Sequence, residues 1–376
     1  MTDDHGAVPE AEGDASTLPG VSVALPKSKL RRTVEVVVTM VVIGAIFGFA
    51  YPEIAGASYS KIWAQFGKLH PIDILVLFVV WVVNMYTYTP VLTNTLPGLT
   101  HNQALTVNLA GSAVSNTVPF GGAVGVGATY AMYTSWGHSV AAITRSILVS
   151  GFWNVFAKLG LPVLALLLLV VDGDVSGRLV IATAIGLLVL AAAIGLLVLV
   201  LRSDALARSI GRLGERIVTR IIGWFGKPPV TGWAEGAVEF RHESVGLIRA
   251  RWIRITFWMV VYNLGQYAIL LLSLRMLGVS QADLGWAQIF AAFTIGRLLS
   301  TIPLTPSGVG FAEAGLVAAL GSFGGPKGAI AAGVLLYSAF TYLLEIPAGA
   351  IGWGVWVTRS SWRKPVPPGG TDLDLV

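Results

Sequence analysis

Long apolar runs separated by short polar breaks dominate the chain. Six of them, near residues 33–51, 71–91, 141–171, 178–201, 254–276 and 329–357, reach the roughly 20 residues that a helix needs to cross a hydrocarbon core of about 30 Å. Two more apolar regions, 103–136 and 286–323, are interrupted by Gly and Pro. Proline removes a backbone donor and clashes with the preceding turn, and glycine weakens a helix interior. Each of these regions is therefore expected to be broken, as a re-entrant hairpin or as a pair of spans. The fold class that follows is an all-α integral membrane protein with six full spans and two broken hairpins or helix pairs.

Composition agrees. Of 376 residues, 55% are apolar and 12% charged, against about 25% charged in soluble domains. Mean hydropathy is +0.73. No hydrophilic stretch is long enough for a soluble catalytic domain, and the chain has no cysteine, which excludes disulfides, thiolate metal sites and cysteine nucleophiles. Residues 1–32 read as a disordered tail that ends in the basic cluster Lys27, Lys29, Arg31 and Arg32. The run 33–51 is read as a retained first helix; a signal peptide is the alternative, with Ala55-Gly56-Ala57 as its cleavage site.

Charge sets the expected topology. The segment 202–254 carries ten Lys/Arg against five acids, and Arg208, Arg212, Arg216 and Arg220 recur every fourth residue, a basic stripe along a surface helix. With the N-terminal cluster and Arg359, Arg363 and Lys364, this puts both termini and the basic segment in the cytoplasm of a cell membrane, most simply a bacterial plasma membrane. The pI of about 9.4 thus reflects orientation, not nucleic-acid binding. Trp252, Trp353, Trp356 and Trp362 fall near span ends, as interfacial anchors do. Counting crossings, region 103–136 begins and ends inside, and region 286–323 begins and ends outside.

The two halves also resemble each other. Phe78, Asn84 and Tyr88 recur as Phe257, Asn263 and Tyr267, each 179 residues on. "NTVPFGGAVGVGA" (116–128) matches "STIPLTPSGVGFA" (300–312), pairing Pro119 with Pro303 and Gly125-Val126-Gly127 with Gly308-Val309-Gly310. Pro162 and Pro347 correspond downstream. The chain is therefore read as tail 1–32, first repeat 33–171, opening span of the second repeat 172–201, basic cytoplasmic loop with an amphipathic helix 202–253, remainder of the second repeat 254–357, and tail 358–376. Repeats of opposite orientation with discontinuous helices bind guests between them. Irregular backbone at membrane depth must be buried in protein or line a polar cavity; close packing through glycine is the plainer alternative.

Five ionisable residues, Arg145, Lys158, Arg297, Glu313 and Glu345, fall inside apolar segments, where each needs a partner or water. A hairpin turn near Thr305 would bring Arg297 level with Glu313, as a buried ion pair that staples the hairpin. Glu313 also suits the first turn of a helix starting at Ser307–Gly310. Lys158 and Glu345 are placed to pair across the pseudo-two-fold axis, and Arg145 can snorkel. Asn84 and Asn263 either glue helices or line the cavity. Freed amides at Ser307, Gly308 and Gly310, and at Gly121, Gly122 and Gly125, are candidate anion ligands. With three positive charges against two negative, the interior favours an anionic guest.

"NTVPFGGAVGVGATYAMY" and "RLLSTIPLTPSGVGFAEAG" resemble the broken hairpins of the lysylphosphatidylglycerol synthase transmembrane family, the flippase-like membrane region of the bacterial multiple peptide resistance factor. The resemblance covers about residues 33–357. Its more specific part is a Pro-x-x-Pro-[Gly/Ser]-Gly-x-Gly-x-x-Glu pattern, here Pro303, Pro306, Ser307, Gly308, Gly310 and Glu313. The first hairpin carries no charge at Gly122-Ala-Val-Gly125, where many members carry Arg and Glu. The resemblance implies a lipid translocase that moves an anionic or zwitterionic head group, of a phospholipid or a lipid-linked intermediate, without a cofactor. The substrate-binding set is expected among Asn116, Pro119, Gly121, Gly122, Gly125, Lys158, Arg297, Pro306, Ser307, Gly308, Gly310, Glu313 and Glu345. No lysyl transfer is expected, because only 19 residues follow position 357. A membrane partner subunit, docking a cytoplasmic enzyme or anionic head groups through 202–254, is the alternative. A lipid-linked glycosyltransferase is a weaker one, resting on Asp172-Gly-Asp174.

Overall fold

A computed structural model describes residues 51–117, 121–171, 177–223, 231–301 and 308–364, together with positions 44, 48, 49 and 305. The N-terminal tail, the expected first span apart from those positions and Tyr51, the Asp172-Gly-Asp174 turn and the last 12 residues lie outside the described residues. All regular structure among the described residues is helical. The order is α1 (Tyr51–Ala55), α2 (Tyr59–Phe66), α3 (Pro71–Thr87), α4 (Thr89–Thr95), α5 (His101–Thr117), α6 (Gly121–Ser135), α7 (Val140–Val171), α8 (Gly177–Arg202) and α9 (Asp204–Gly223). Then follow α10 (Trp233–Met276), α11 (Trp286–Leu299), α12 (Phe311–Ser322), α13 (Lys327–Ser338) and α14 (Glu345–Thr358).

Five stretches are long and apolar enough to cross a membrane: Pro71–Thr95, Val140–Val171, Ala184–Arg202, Trp233–Met276 and Lys327–Thr358. They match five of the six runs read from the sequence. In Ala184–Arg202 the most apolar window fully buries no residue, so this helix packs on α7 along one side only. The first of these stretches starts where the sequence predicts, since Pro71 fills the first turn and the Asp73 carboxylate accepts the His70 amide at 2.8 Å, capping the helix start.

The two broken regions form pairs of short helices, α5 with α6 and α11 with α12, each packed on its partner. At 1.5 Å per residue the four limbs are about 26, 23, 21 and 18 Å long, each short of the roughly 30 Å core. The pairs dock reciprocally: α5 lies along α14, and α11 lies along α7. Glycine makes the first contact possible. A Cβ at Gly349 would sit 2.1 Å from the Ala113 Cβ and 2.6 Å from the Leu109 carbonyl oxygen, so the α5 and α14 backbones meet directly. α3 packs on α10 in the same manner, because a Cβ at Gly265 would fall 2.0 Å from Asn84 Oδ1. Asn84 and Asn263 are buried outside the cavity lining, and their side-chain hydrogen bonds stay within their own helices.

The basic segment is not a loop. α9 runs along the start of α10, and α10 continues unbroken through position 254 to Met276. Its 44 residues span about 66 Å, twice a hydrocarbon core, so its N-terminal half extends beyond the membrane beside α9. Arg241 fixes that corner: it donates to the Leu201 carbonyl at 3.0 Å and to Asp204 Oδ1 at 2.6 Å, joining the end of α8 to the start of α9. Arg145 does not reach for solvent. It is 7% exposed and pairs with Glu243 of α10 at 3.3 Å.

α13 and α14 form one long element interrupted by a π-helical turn at Ala339–Leu343, where the Leu344 amide reaches back five residues to the Ala339 carbonyl at 2.8 Å. Pro347 has no N–H for the Leu343 carbonyl, and the wider turn takes up that mismatch. Glu345 sits between turn and proline. The main buried cluster lies to one side of this joint, where Leu77, Leu274, Phe290, Phe293, Leu316 and Ile330 bring α3, α10, α11, α12 and α13 together.

Candidate functional site: a polar cavity between the short helix pairs

A cavity of about 420 Å³ opens where α5, α6, α7, α10, α11 and the α13–α14 joint converge. Its walls are polar because helical periodicity aligns the small polar residues of otherwise apolar helices. On α7 the lining is Ser146, Ser150, Asn154 and Lys158, every fourth residue and so one face. On α5 it is Asn108, Ser112, Ser115 and Asn116, and on α10 Tyr262 and Gln266. Gln266 Oε1, and the hydroxyl of Tyr133, which lines the cavity from α6, are buried without a partner among the described residues.

Three charged side chains line the cavity: Lys158, Arg297 and Glu345. Lys158 stands at a break in its own helix, since Pro162 cannot donate to its carbonyl. Its ammonium lies 3.4 Å from the Ser300 hydroxyl, a long contact. Ser300 is held by the turn that follows: Gly308 has φ +76° and its Cβ, if present, would lie 2.7 Å from the Ser300 Cα. Only glycine fits that conformation and that gap. The Arg297 guanidinium makes no ion pair or hydrogen bond to the described residues, and its Nε is buried without a partner. Glu345 is 6% exposed and its Oε2 accepts the Asn116 amide at 3.0 Å.

The residues expected from sequence divide into groups. Asn116, Gly125, Lys158, Arg297 and Glu345 come together on this one cavity. Glu313 lies beside it, on a smaller void that shares Arg297, Ser300, Tyr337 and Tyr342. Gly121 and Gly122 form the first turn of α6, and Pro119, Pro306 and Ser307 lie outside the described residues.

Three expectations are corrected. Arg297 and Glu313 share the smaller void but form no ion pair. Instead the Glu313 carboxylate caps its own helix, accepting the Gly310 amide through Oε2 and the Ser338 hydroxyl through Oε1 at 2.9 Å. Lys158 and Glu345 share the cavity but likewise form no ion pair. The amides of Gly308 and Gly310 are not free for an anion, because the first donates to the Thr305 carbonyl at 3.1 Å and the second to Glu313. The cationic side chains, not the second glycine turn, are the anion ligands on offer.

Sequence reasoning missed most of the uncharged lining. The α7 stripe was readable as Ser146, Ser150, Asn154 and Lys158 at spacings of four. The tyrosines Tyr88, Tyr133, Tyr262, Tyr337 and Tyr342 gave no comparable signal, since tyrosine is equally at home in cores and interfaces. Trp353, Trp356 and Trp362, read as interfacial anchors, pack on the cluster of Tyr133 and Trp136, and Trp356 Nε1 donates to the Ser135 hydroxyl at 2.9 Å.

Comparison with known proteins bears on the whole of this architecture. No curated protein matches the chain. The family model for the lysylphosphatidylglycerol synthase TM region matches residues 35–349, a range that takes in every wall of the cavity. Together with the apolar helices, that match makes this chain a multi-pass membrane protein of the lysylphosphatidylglycerol synthase TM family.

Proposed function

We propose that the chain is a lipid translocase of the cell membrane, in which the polar cavity carries an anionic head group while the acyl chains stay in the bilayer. One observation carries the reading: the Arg297 guanidinium lines the cavity without a hydrogen bond or ion pair among the described residues, and Lys158 lines the same space. A guanidinium left without an anion inside an apolar protein is costly, and a phosphate is the planar, bidentate partner it suits best. Two cations against one carboxylate leave the walls with an unneutralised positive charge. Nothing in this role requires chemical change of the lipid, so the proposed activity is movement and not catalysis.

The same reading takes the two short helix pairs as re-entrant hairpins in repeats of inverted orientation, with both termini cytoplasmic. Limbs shorter than a hydrocarbon core support the first part. The reciprocal docking of α5 on α14 and α11 on α7, each followed by a proline break, supports the second. Rocking of one repeat against the other would open the cavity to each leaflet in turn.

The test is reconstitution into phosphatidylcholine vesicles containing a labelled anionic phospholipid. Wild-type protein should abolish leaflet asymmetry, and Arg297→Ala should not. A second reading, as a partner subunit, draws on the exposed row Arg208, Arg212, Arg216 and Arg220 along α9. It gains if the vesicles stay asymmetric and the protein co-purifies with one cytoplasmic enzyme, lost on reversing those four charges.

A further inference from the structure

Glu345 is the sole carboxylate lining the cavity among the described residues, and the proposed function gives it no task. Its surroundings are unusual for a buried acid. Asn116 and Ser112 face the cavity from α5, Tyr337 and Tyr342 from the joint, Tyr262 from α10, Tyr88 from the end of α3, Tyr133 from α6, Lys158 from α7 and Arg297 from α11. Arg297 acts on it through space, yet neither cation comes close enough for an ion pair. The side-chain donors to the carboxylate are neutral, the Asn116 amide through Nδ2 at 3.0 Å and the Ser112 hydroxyl. Of the titratable groups named, Glu345 is the one carboxyl; the tyrosines and Lys158 ordinarily hold their protons to about pH 10.

We propose that Glu345 is a proton-binding site coupled to occupation of the cavity, so that an anionic head group and a proton are taken up together. The inference rests on the translocase reading for its guest and on the geometry for its coupling. An anion seated on Arg297 and Lys158 claims the two positive charges that otherwise offset the carboxylate, and adds a negative charge within the same 420 Å³ space. Like charges sharing a poorly solvated site cannot both persist, and a proton on Glu345 removes the conflict. Linkage makes the effect reciprocal: protonation of Glu345 strengthens anion binding by the factor that anion binding strengthens protonation. The position also suits a device that moves. Glu345 stands between the π-helical turn and Pro347, at the joint where the cavity-lining α13–α14 element is least regular.

The experiment uses phosphatidylcholine vesicles with labelled phosphatidylglycerol and a trapped pH dye, over roughly pH 5 to 9. Wild-type lipid movement should accelerate as pH falls, by up to about tenfold per pH unit for one proton, and the dye should report proton flux in step. Glu345→Gln should keep moving lipid at a rate independent of pH and carry no protons. Lys158→Arg holds its charge throughout and should keep the wild-type slope. A slope that survives in Glu345→Gln, or vanishes in Lys158→Arg instead, overturns the proposal, as does pH-independent movement by the wild type. Should Glu345→Gln not fold, Asn116→Leu serves, and must displace the pH profile without flattening it. If no lipid moves at all, the translocase reading fails separately and Glu345 is read directly by infrared spectroscopy. A protonated-carboxyl band assigned to it must grow when inorganic phosphate is added at fixed pH, and an unchanged band overturns the proton site.

Discussion

Glu313 and Glu345 are both carboxylates in apolar helices, both follow an irregular turn, and both are almost fully buried, at 2% and 6% exposed. Their partners separate them. Each Glu313 oxygen has a donor, from the Gly310 amide and the Ser338 hydroxyl, and its negative charge sits at the positive end of α12. Glu345 has only neutral side-chain donors, the Asn116 amide and the Ser112 hydroxyl, and faces a cavity whose cations it does not pair with. The cations divide in the same way: Arg145 is tied to Glu243, whereas Arg297 is tied to nothing described. An ionisable residue inside a membrane is a site candidate by cost alone. The comparison teaches that charges satisfied by a helix end or an opposite charge belong to the fold, and that those left without an ion pair on the cavity wall are the site candidates.

The sharpest way to break the comparison is to exchange roles among the cations. Arg297→Ala removes charge-assisted hydrogen bonds worth about 1.5–3 kcal/mol to a bound anion, or about 10- to 100-fold in affinity. Lipid movement should collapse while the melting temperature holds or rises, because a buried unpaired charge has gone. Arg297→Lys should recover little, since a point charge cannot replace the bidentate fork.

Arg145→Ala should do the reverse. Leaving Glu243 without its cation in a partly buried site should destabilise the protein by up to about 3–5 kcal/mol, and adding Glu243→Ala should return part of it. Lipid movement per folded molecule should be unchanged in the double variant. Thermal unfolding in detergent beside the vesicle assay separates the two quantities. A smaller loss, about 1–3 kcal/mol from forced overpacking, is expected for Gly349→Ala, whose new methyl meets α5 at 2.1 Å.

Much of the fold was legible in the sequence because hydrophobicity and Gly/Pro breaks act locally. Five of the six apolar runs became helices among the described residues, and in sequence Pro303, Pro306 and the glycines near 308 fall between α11 and α12. The end of the basic segment was misjudged because charge sets how deep a helix lies in a membrane, not where it stops. No proline occurs between Val230 and Thr301, and without a breaker α10 runs straight through the change in polarity. The family, too, was legible from the two hairpins. Which charge meets which could not be read. Arg297 and Glu313 come level near one void as expected, but a carboxylate three residues into a helix finds its own N-terminal amide before it finds an arginine. Pairing depends on side-chain reach within a fraction of a turn, and no spacing rule carries that.

The smallest effect is expected at Glu313. Glu313→Gln keeps an acceptor for the Gly310 amide, and the Ser338 hydroxyl can turn to accept from the new amide group. Only the interaction of the negative charge with the N-terminus of α12 is lost, typically 0.3–1 kcal/mol and at most about 2 kcal/mol. The melting temperature should fall by a few degrees at most, and lipid movement, its pH profile and its dependence on Arg297 should stay as in the wild type. Glu345→Gln, an identical change of chemistry 32 residues on, should abolish the pH profile with little effect on melting. If Glu313→Gln abolishes movement while the protein still melts normally, Glu313 is part of the working site and the division between satisfied and unsatisfied charges fails at its first test.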